Sequence, residues 1–231
     1  MSENHTISPA VLDSRLKQIL QYRTNRTTRF PDKPFSVFFD IFTQSEKAGR
    51  AIIDGNINHE FLTILERSIV ISTVTAIEVY YKDVLDGIFR MCSPDFFIPK
   101  LKHIHQNKYD IKDLCDFHEH QIHPLELVVT SQSFQNTEII DKVFSKFLGK
   151  GFWSSILEQQ VRRSDNPENV ASWTNDDLEG LKSTFLLRHE LVHDPARTSF
   201  LTEDVLSNLW KSAHMIWGSD VILMNLIGNN K

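Results

Sequence analysis

At 231 residues, with 41% apolar and 24% charged positions, the chain has an ordinary globular make-up and enough length for one large core or two small ones. A formal charge of −5 argues against a broad basic surface that coats nucleic acid, while leaving room for a local basic pocket that grips one phosphate. Only two cysteines, Cys92 and Cys115, rule against a disulfide framework, and no apolar run approaches the roughly 18 residues needed to cross a bilayer.

The cysteines lack metal-ligand spacing and read as small buried hydrophobes in a reducing cytoplasm. The start, "MSENHTISPAVLDSRLKQIL", has no basic region followed by an apolar one, so a soluble cytoplasmic protein with no membrane contact is expected. Eight glycines, eight prolines and no succession of short alternating runs disfavour a sheet-rich fold. An all-α protein follows, with no internal repeat, read as one domain over residues 1–231.

An amphipathic stretch near Val11 to Tyr22 is broken by "RTNRTTRFPDKPF", and a second helical piece covers Ser36 to Lys47. The strongest helix signal runs from His59 to Cys92, where Leu62, Leu65, Ile69, Thr73, Ile77, Tyr81, Val84 and Ile88 recur at spacings of three and four. Its middle, "SIVISTVTAIEV", is β-branched, but a strand of that length would be abnormal. "SPDFFIP" stops it. The segment Lys100 to Val129 has no clear period; His103, His105, His118, His120 and His123 there read as a solvated polar loop, with a metal site as the lesser alternative.

Shorter helices fit Asn136 to Leu148 and Phe152 to Arg162, followed by the polar run "RRSDNPENVASW". Thr174 and Asp177 then have capping-box spacing, and Leu178, Leu181, Phe185, His189 and Val192 fall on one stripe of a helix. Pro195 biases Asp194 away from helical geometry and ends the helix near His193. A last helix spans Thr202 to Leu226, carrying Leu206, Leu209, Ala213, Ile216, Val221 and Met224; Trp210 and Trp217 read as core rather than base-stacking platforms.

"LLRHELVHDP" holds the chemistry and has two readings. From His189 it is His-Glu-x-x-His, whose histidines share a helix face and could bind zinc with Glu190 as base. The third ligand is not evident, since "HDPARTSF" offers neither the glycine nor the third histidine of the extended pattern, and only Glu203 is acidic shortly downstream. From Arg188 the pair is Arg188 and His193, suited to a phosphate ester: a planar, permanent donor array, and an imidazole at the carbonyl end of a helix, where partial negative charge favours its protonated form. On one straight helix these two project about 140° apart and converge poorly. Two copies of the helix across a two-fold axis would let both line a shared cleft.

The element order and this motif resemble the HEPN superfamily, helical domains of prokaryotic defence and toxin systems whose RNase members carry Arg, a polar residue, three variable residues and His. Arg188, His189 and His193 match that pattern, and "TVTAIEVYYKDVL" is similar to the second core helix, with Glu78 and Tyr81 in its glutamate and aromatic places. "SFQNTEIIDKVFSKFLGKGFW" resembles the middle segment of the RiboL-PSP-like and MAE-like branches. The resemblance runs from about Glu60 to Gly228 and implies a HEPN-like antiparallel helical bundle over residues 56–231 with an N-terminal helical extension over residues 1–55.

It further implies a metal-independent endoribonuclease, without cofactor or metal, acting on RNA as a homodimer. His193 would serve as acid or base and Arg188 would stabilise phosphate charge, leaving a 2′,3′-cyclic phosphate; His189 and Glu78 would support them. An antitoxin or other regulatory partner is possible, but Pro195 stands where the nucleotidyltransferase-controlled toxins often carry a modifiable tyrosine. A silent nucleotide- or RNA-binding or dimerisation module, and a zinc hydrolase, remain alternatives. So do plainer fates: Arg188 paired with Glu78 or Asp194, His189 as a satisfied core histidine, Glu78 as a semi-buried structural carboxylate.

Overall fold

The computed structural model describes residues 16–24, 34–56, 61–162, 170–194 and 196–231. Its elements are α1 (residues 16–24), α2 (Pro34–Ile53), α3 (Leu62–Met91), α4 (Pro94–Ile104), α5 (Ile111–Glu119), α6 (Pro124–Ser131), α7 (Thr137–Leu148), α8 (Phe152–Leu157), β1 (Gln160–Arg162), β2 (Val170–Ser172), α9 (Asn175–His193) and α10 (Glu203–Asn229). Among the described residues the chain is all-α apart from one short antiparallel pair, in which Val161 faces Ala171.

The central helix is α3, which packs against α2, α4, α6, α9 and α10. Its burial explains its sequence: Val74, Ile77, Tyr80, Tyr81, Val84, Leu85 and Ile88 are all nearly inaccessible, so it is apolar almost all round. Tyr80 and Tyr81 bring polar tips into this core and satisfy them on α10, with the Tyr80 hydroxyl 3.2 Å from Asp220 and that of Tyr81 2.8 Å from Ser219. Burial pushes the Asp220 carboxyl up to about 6, against the Tyr80 hydrogen bond that lowers it.

Several boundaries differ from the sequence reading for identifiable reasons. "SPDFFIP" ends α3 but also starts α4, because Pro94 sits in the first turn, where its missing N–H costs nothing. Pro124 does the same for α6, so the expected loop from Lys100 to Val129 holds parts or all of three helices. The histidines are not in one loop: His103 lies in α4, His118 closes α5, and His123 caps α6 by accepting from the Leu125 N–H at 3.2 Å. His105 bridges the Ser131 and Tyr109 hydroxyls at 3.0 and 2.7 Å. The helix expected over Phe152 to Arg162 stops at Leu157, and its end is β1. Cys92 is buried, but Cys115 is exposed on the outer face of α5. The expected helix from Val11 is described from residue 16; its start and Pro195 lie outside the described residues.

Close approach of α9 and α10 fixes the bundle around the site. A Cβ on Gly180 would lie 2.5 Å from the Lys211 Cβ, and one on Gly218 would lie 2.7 Å from Trp173. Between them the Ser212 hydroxyl donates to Thr184 at 2.9 Å and Asp177 meets His214 at 3.1 Å, so the two helices run antiparallel.

Candidate functional site

The site helix, α9, begins as its sequence spells out. Thr174 accepts from the Asp177 N–H while Asp177 accepts from the Thr174 N–H at 2.8 Å, a reciprocal capping box. Burial raises the Asp177 carboxyl, but hydrogen bonds from Thr174 and His214 outweigh it and hold the group below its ordinary range. Leu178, Leu181, Thr184 and Phe185 are buried along the first three turns.

Toward the other end the buried face rotates. Leu191, not Val192, goes inward and packs with Val70 and Phe200 in a separate small cluster. His189 is exposed, which corrects the expectation of a core histidine: the 3-4 stripe continues past Leu178, Leu181 and Phe185, the members of it that reach the main core. His193 is exposed as well, with its ring centroid 4.4 Å from that of His189. The helix ends at His193 with Asp194 as its C-cap, as the sequence indicates.

Arg67 of α3 closes this end. Its guanidinium donates to the carbonyl of Leu191 at 2.6 Å, of Arg197 at 3.3 Å and of Asp194 at 3.5 Å, supplying donors to acceptors that the helix leaves open. Nothing in the local sequence signals this, because the partners are more than 120 residues apart. Glu190, the base of the zinc reading, is instead paired with Arg197. Among the described residues no group of three His, Cys, Asp or Glu side chains is placed to hold a metal.

Arg188 is half-buried and, among the described residues, is paired with neither Glu78 nor Asp194. It points toward the α10 side of the helix, within about 20° of Asp177 around the axis. Glu78 is held by Lys82 at 2.8 Å and by the Gln135 side-chain amide. Gln135 in turn lines a groove of about 810 Å³ between α7 and α9, whose walls carry Lys142, Lys182 and His189. The fold thus brings His189 beside His193 and sets Glu78 behind Gln135 at the same groove. It does not bring Arg188 into that groove. Arg67 and Gln135 are the members that sequence reasoning missed; Gln135 lies in the "SFQNTEIID" stretch, but only its contact with Glu78 singles it out.

The family model RiboL-PSP-HEPN matches residues 38–213. The chain belongs to the RiboL-PSP-HEPN family. The matched span starts inside α2, upstream of the resemblance read from the sequence, and contains Glu78, Arg188, His189 and His193. No curated protein and no solved structure matches the chain. As a HEPN domain it falls among nuclease or RNA-binding modules. No described helix is long and apolar enough to cross a membrane.

Proposed function

We propose that this HEPN chain is a metal-independent endoribonuclease of a defence or toxin system, folded as one helical domain and active as a homodimer. The observation that carries the reading is the uncovered end of α9, where His189 and His193 stand exposed with rings 4.4 Å apart in a segment matched by the family. Exposed Leu186 and Val192 share that end at 59% and 47% accessibility, an apolar margin suited to a second copy of the helix. Pairing two copies supplies what one helix lacks, an Arg188 within reach of a His193.

In that arrangement the RNA 2′-hydroxyl attacks the adjacent phosphorus and the bond to the 5′-oxygen breaks. His193 takes the proton from the 2′-oxygen and a proton is returned to the departing 5′-oxygen by the same imidazole or by the His193 of the other copy, while Arg188 offsets charge on the pentacoordinate phosphate. His189 holds the neighbouring ring in place. The α7/α9 groove carries Lys142 and Lys182 beside Glu138 and Asp141, with Lys182 paired to Glu179 at 2.7 Å, so a phosphate backbone there would have to lean on Lys142. The products are a 2′,3′-cyclic phosphate and a 5′-hydroxyl. An antitoxin covering the same end of α9 is the simplest means of control.

The test is cleavage of total RNA by the wild-type chain, Arg188→Ala and His193→Ala, each with and without EDTA, with end-group analysis. Cleavage that survives chelation and disappears in both variants supports the reading. Activity lost on chelation moves the assignment to a zinc hydrolase. Binding of RNA by the wild type without cleavage moves it to a silent HEPN module.

A further inference from the structure

Residues of α2, α10 and the first turn of α9 line an open cavity of about 530 Å³. Its walls are rings: Phe35 and Phe39 from α2, Trp210 and Trp217 from α10. Two of them face solvent to an extent unusual for their size, Trp210 at 44% and Phe39 at 40%. This corrects the reading of Trp210 as core. Trp210 is nevertheless held, edge-on to Phe42 at 4.8 Å and with its indole N–H donating to Glu46 at 3.3 Å. An exposed indole fixed at both ends is a stacking surface already in position.

The polar groups of the cavity narrow what it takes. Each charge is already matched: Lys211 meets Asp176 at 2.8 Å, and Asp177 accepts from Thr174 and meets the His214 Nδ1 at 3.1 Å. A bare cation finds no carboxylate to itself there, and a bare anion no cation. His214 packs against Trp173 and Trp217 in a triangle of rings, its centroid 5.5 and 5.7 Å from theirs and theirs 5.3 Å from each other. With Nδ1 committed to Asp177, the hydrogen-bonding atom left to the ring is Nε2. Ser207, on the same wall, adds a hydroxyl. It is two helical turns from His214, about 10 Å along the axis, too far for the two to act as nucleophile and base.

Aromatic faces, neutralised charges and an oriented imidazole edge together fit a neutral, planar heterocycle with polar atoms on its rim. We propose that this cavity is a nucleobase-binding site, stacking a base on Trp210 and reading its edge through His214. Base stacking on aromatic side chains tolerates any base, so the preference among bases is set at His214. The base comes either from a free nucleotide or from a strand running along the α9–α10 seam. Asp177 and Arg188 lie near one line on α9, roughly 16 Å apart, so a strand on that seam reaches both. The proposal does not require that the chain cleaves RNA.

The test is quenching of tryptophan fluorescence in the full-length chain by AMP, GMP, CMP and UMP, with ribose 5-phosphate as the base-free control. At least one mononucleotide is expected to quench saturably where ribose 5-phosphate does not. Trp210→Ala should weaken that binding about tenfold or more, Trp210→Phe should retain most of it, and His214→Gln should change the ranking of the bases. A short single-stranded oligonucleotide binding far more tightly than the mononucleotide assigns the base to RNA; equal affinity assigns it to a free nucleotide. Quenching by ribose 5-phosphate as strong as by the nucleotides, or binding unchanged in a folded Trp210→Ala variant, overturns the proposal. Saturable base binding in a chain that cleaves no RNA keeps the cavity and removes the nuclease.

Discussion

Between Asn175 and Phe185, α9 has a reciprocal cap, a glycine pressed against Lys211 and a buried hydroxyl pair with α10. Between Arg188 and His193 the same helix shows solvent two histidines and a valine, and it is finished by an arginine from another element. In the first half Thr174, Asp177 and Thr184 are spent on structure; in the second half His189 and His193 are left to face outward. A protein that folds from one end of a helix can leave reactive groups at the other, since the contacts that stabilise the bundle do not depend on them.

This contrast can be broken most decisively at the outward half. Arg188→Ala and His193→Ala are each expected to lower RNA cleavage about 100-fold or more, with a thermal midpoint close to wild type for His193→Ala. Arg188→Lys should recover little, because the ammonium lacks the planar fork. If His193→Ala instead unfolds the chain with its activity, the two halves are not distinct.

The next largest effect lies in the inward half. Gly180→Val places methyl groups against Lys211 and should cost about 1–3 kcal/mol in urea unfolding, with cleavage per folded molecule preserved. Arg67→Ala joins the halves: losing its bonds to the carbonyls of Leu191, Asp194 and Arg197 should cost roughly 1–2 kcal/mol. It should also speed amide exchange at Asp194 and Ala196 and lower activity with it. Thr174→Ala should cost about 1 kcal/mol and leave activity alone.

The smallest effect is a pH dependence. The Asp177 carboxyl is held below its ordinary range in the fold, so the native state binds fewer protons than the unfolded chain as acid is added. Its contribution is present above the unfolded value of 3.8 and is lost as pH falls through the folded one. Asp177→Asn should flatten the fall in unfolding free energy between pH 5 and 3, read from urea titrations, by under about 1 kcal/mol relative to wild type.

The sequence makes the inward half legible and the outward half much less so. Thr174 and Asp177 announce their cap because its partners are three residues apart, and the 3-4 spacing of α3 is long enough to overrule its β-branched middle. His189 misleads because periodicity marks which face a residue takes but not where the core beneath that face ends. Trp210 misleads similarly: an indole on the apolar face of a long helix reads as core until α2 is seen to leave it open. Arg67 and Gln135 act across long sequence separations and carry no local mark. Short helices opened by proline, α4 and α6, look like breaks for the same reason that they start well.

The unequal cysteines make the chain its own reporter. Burial pushes the Cys92 thiol up, while Cys115 is exposed on a helix remote in sequence from α9. A maleimide dye therefore reacts first at Cys115, giving a singly labelled wild-type protein. Mixing donor- and acceptor-labelled batches then turns subunit exchange into a rise in energy transfer, so the lifetime of any pair of chains can be timed without altering a single residue.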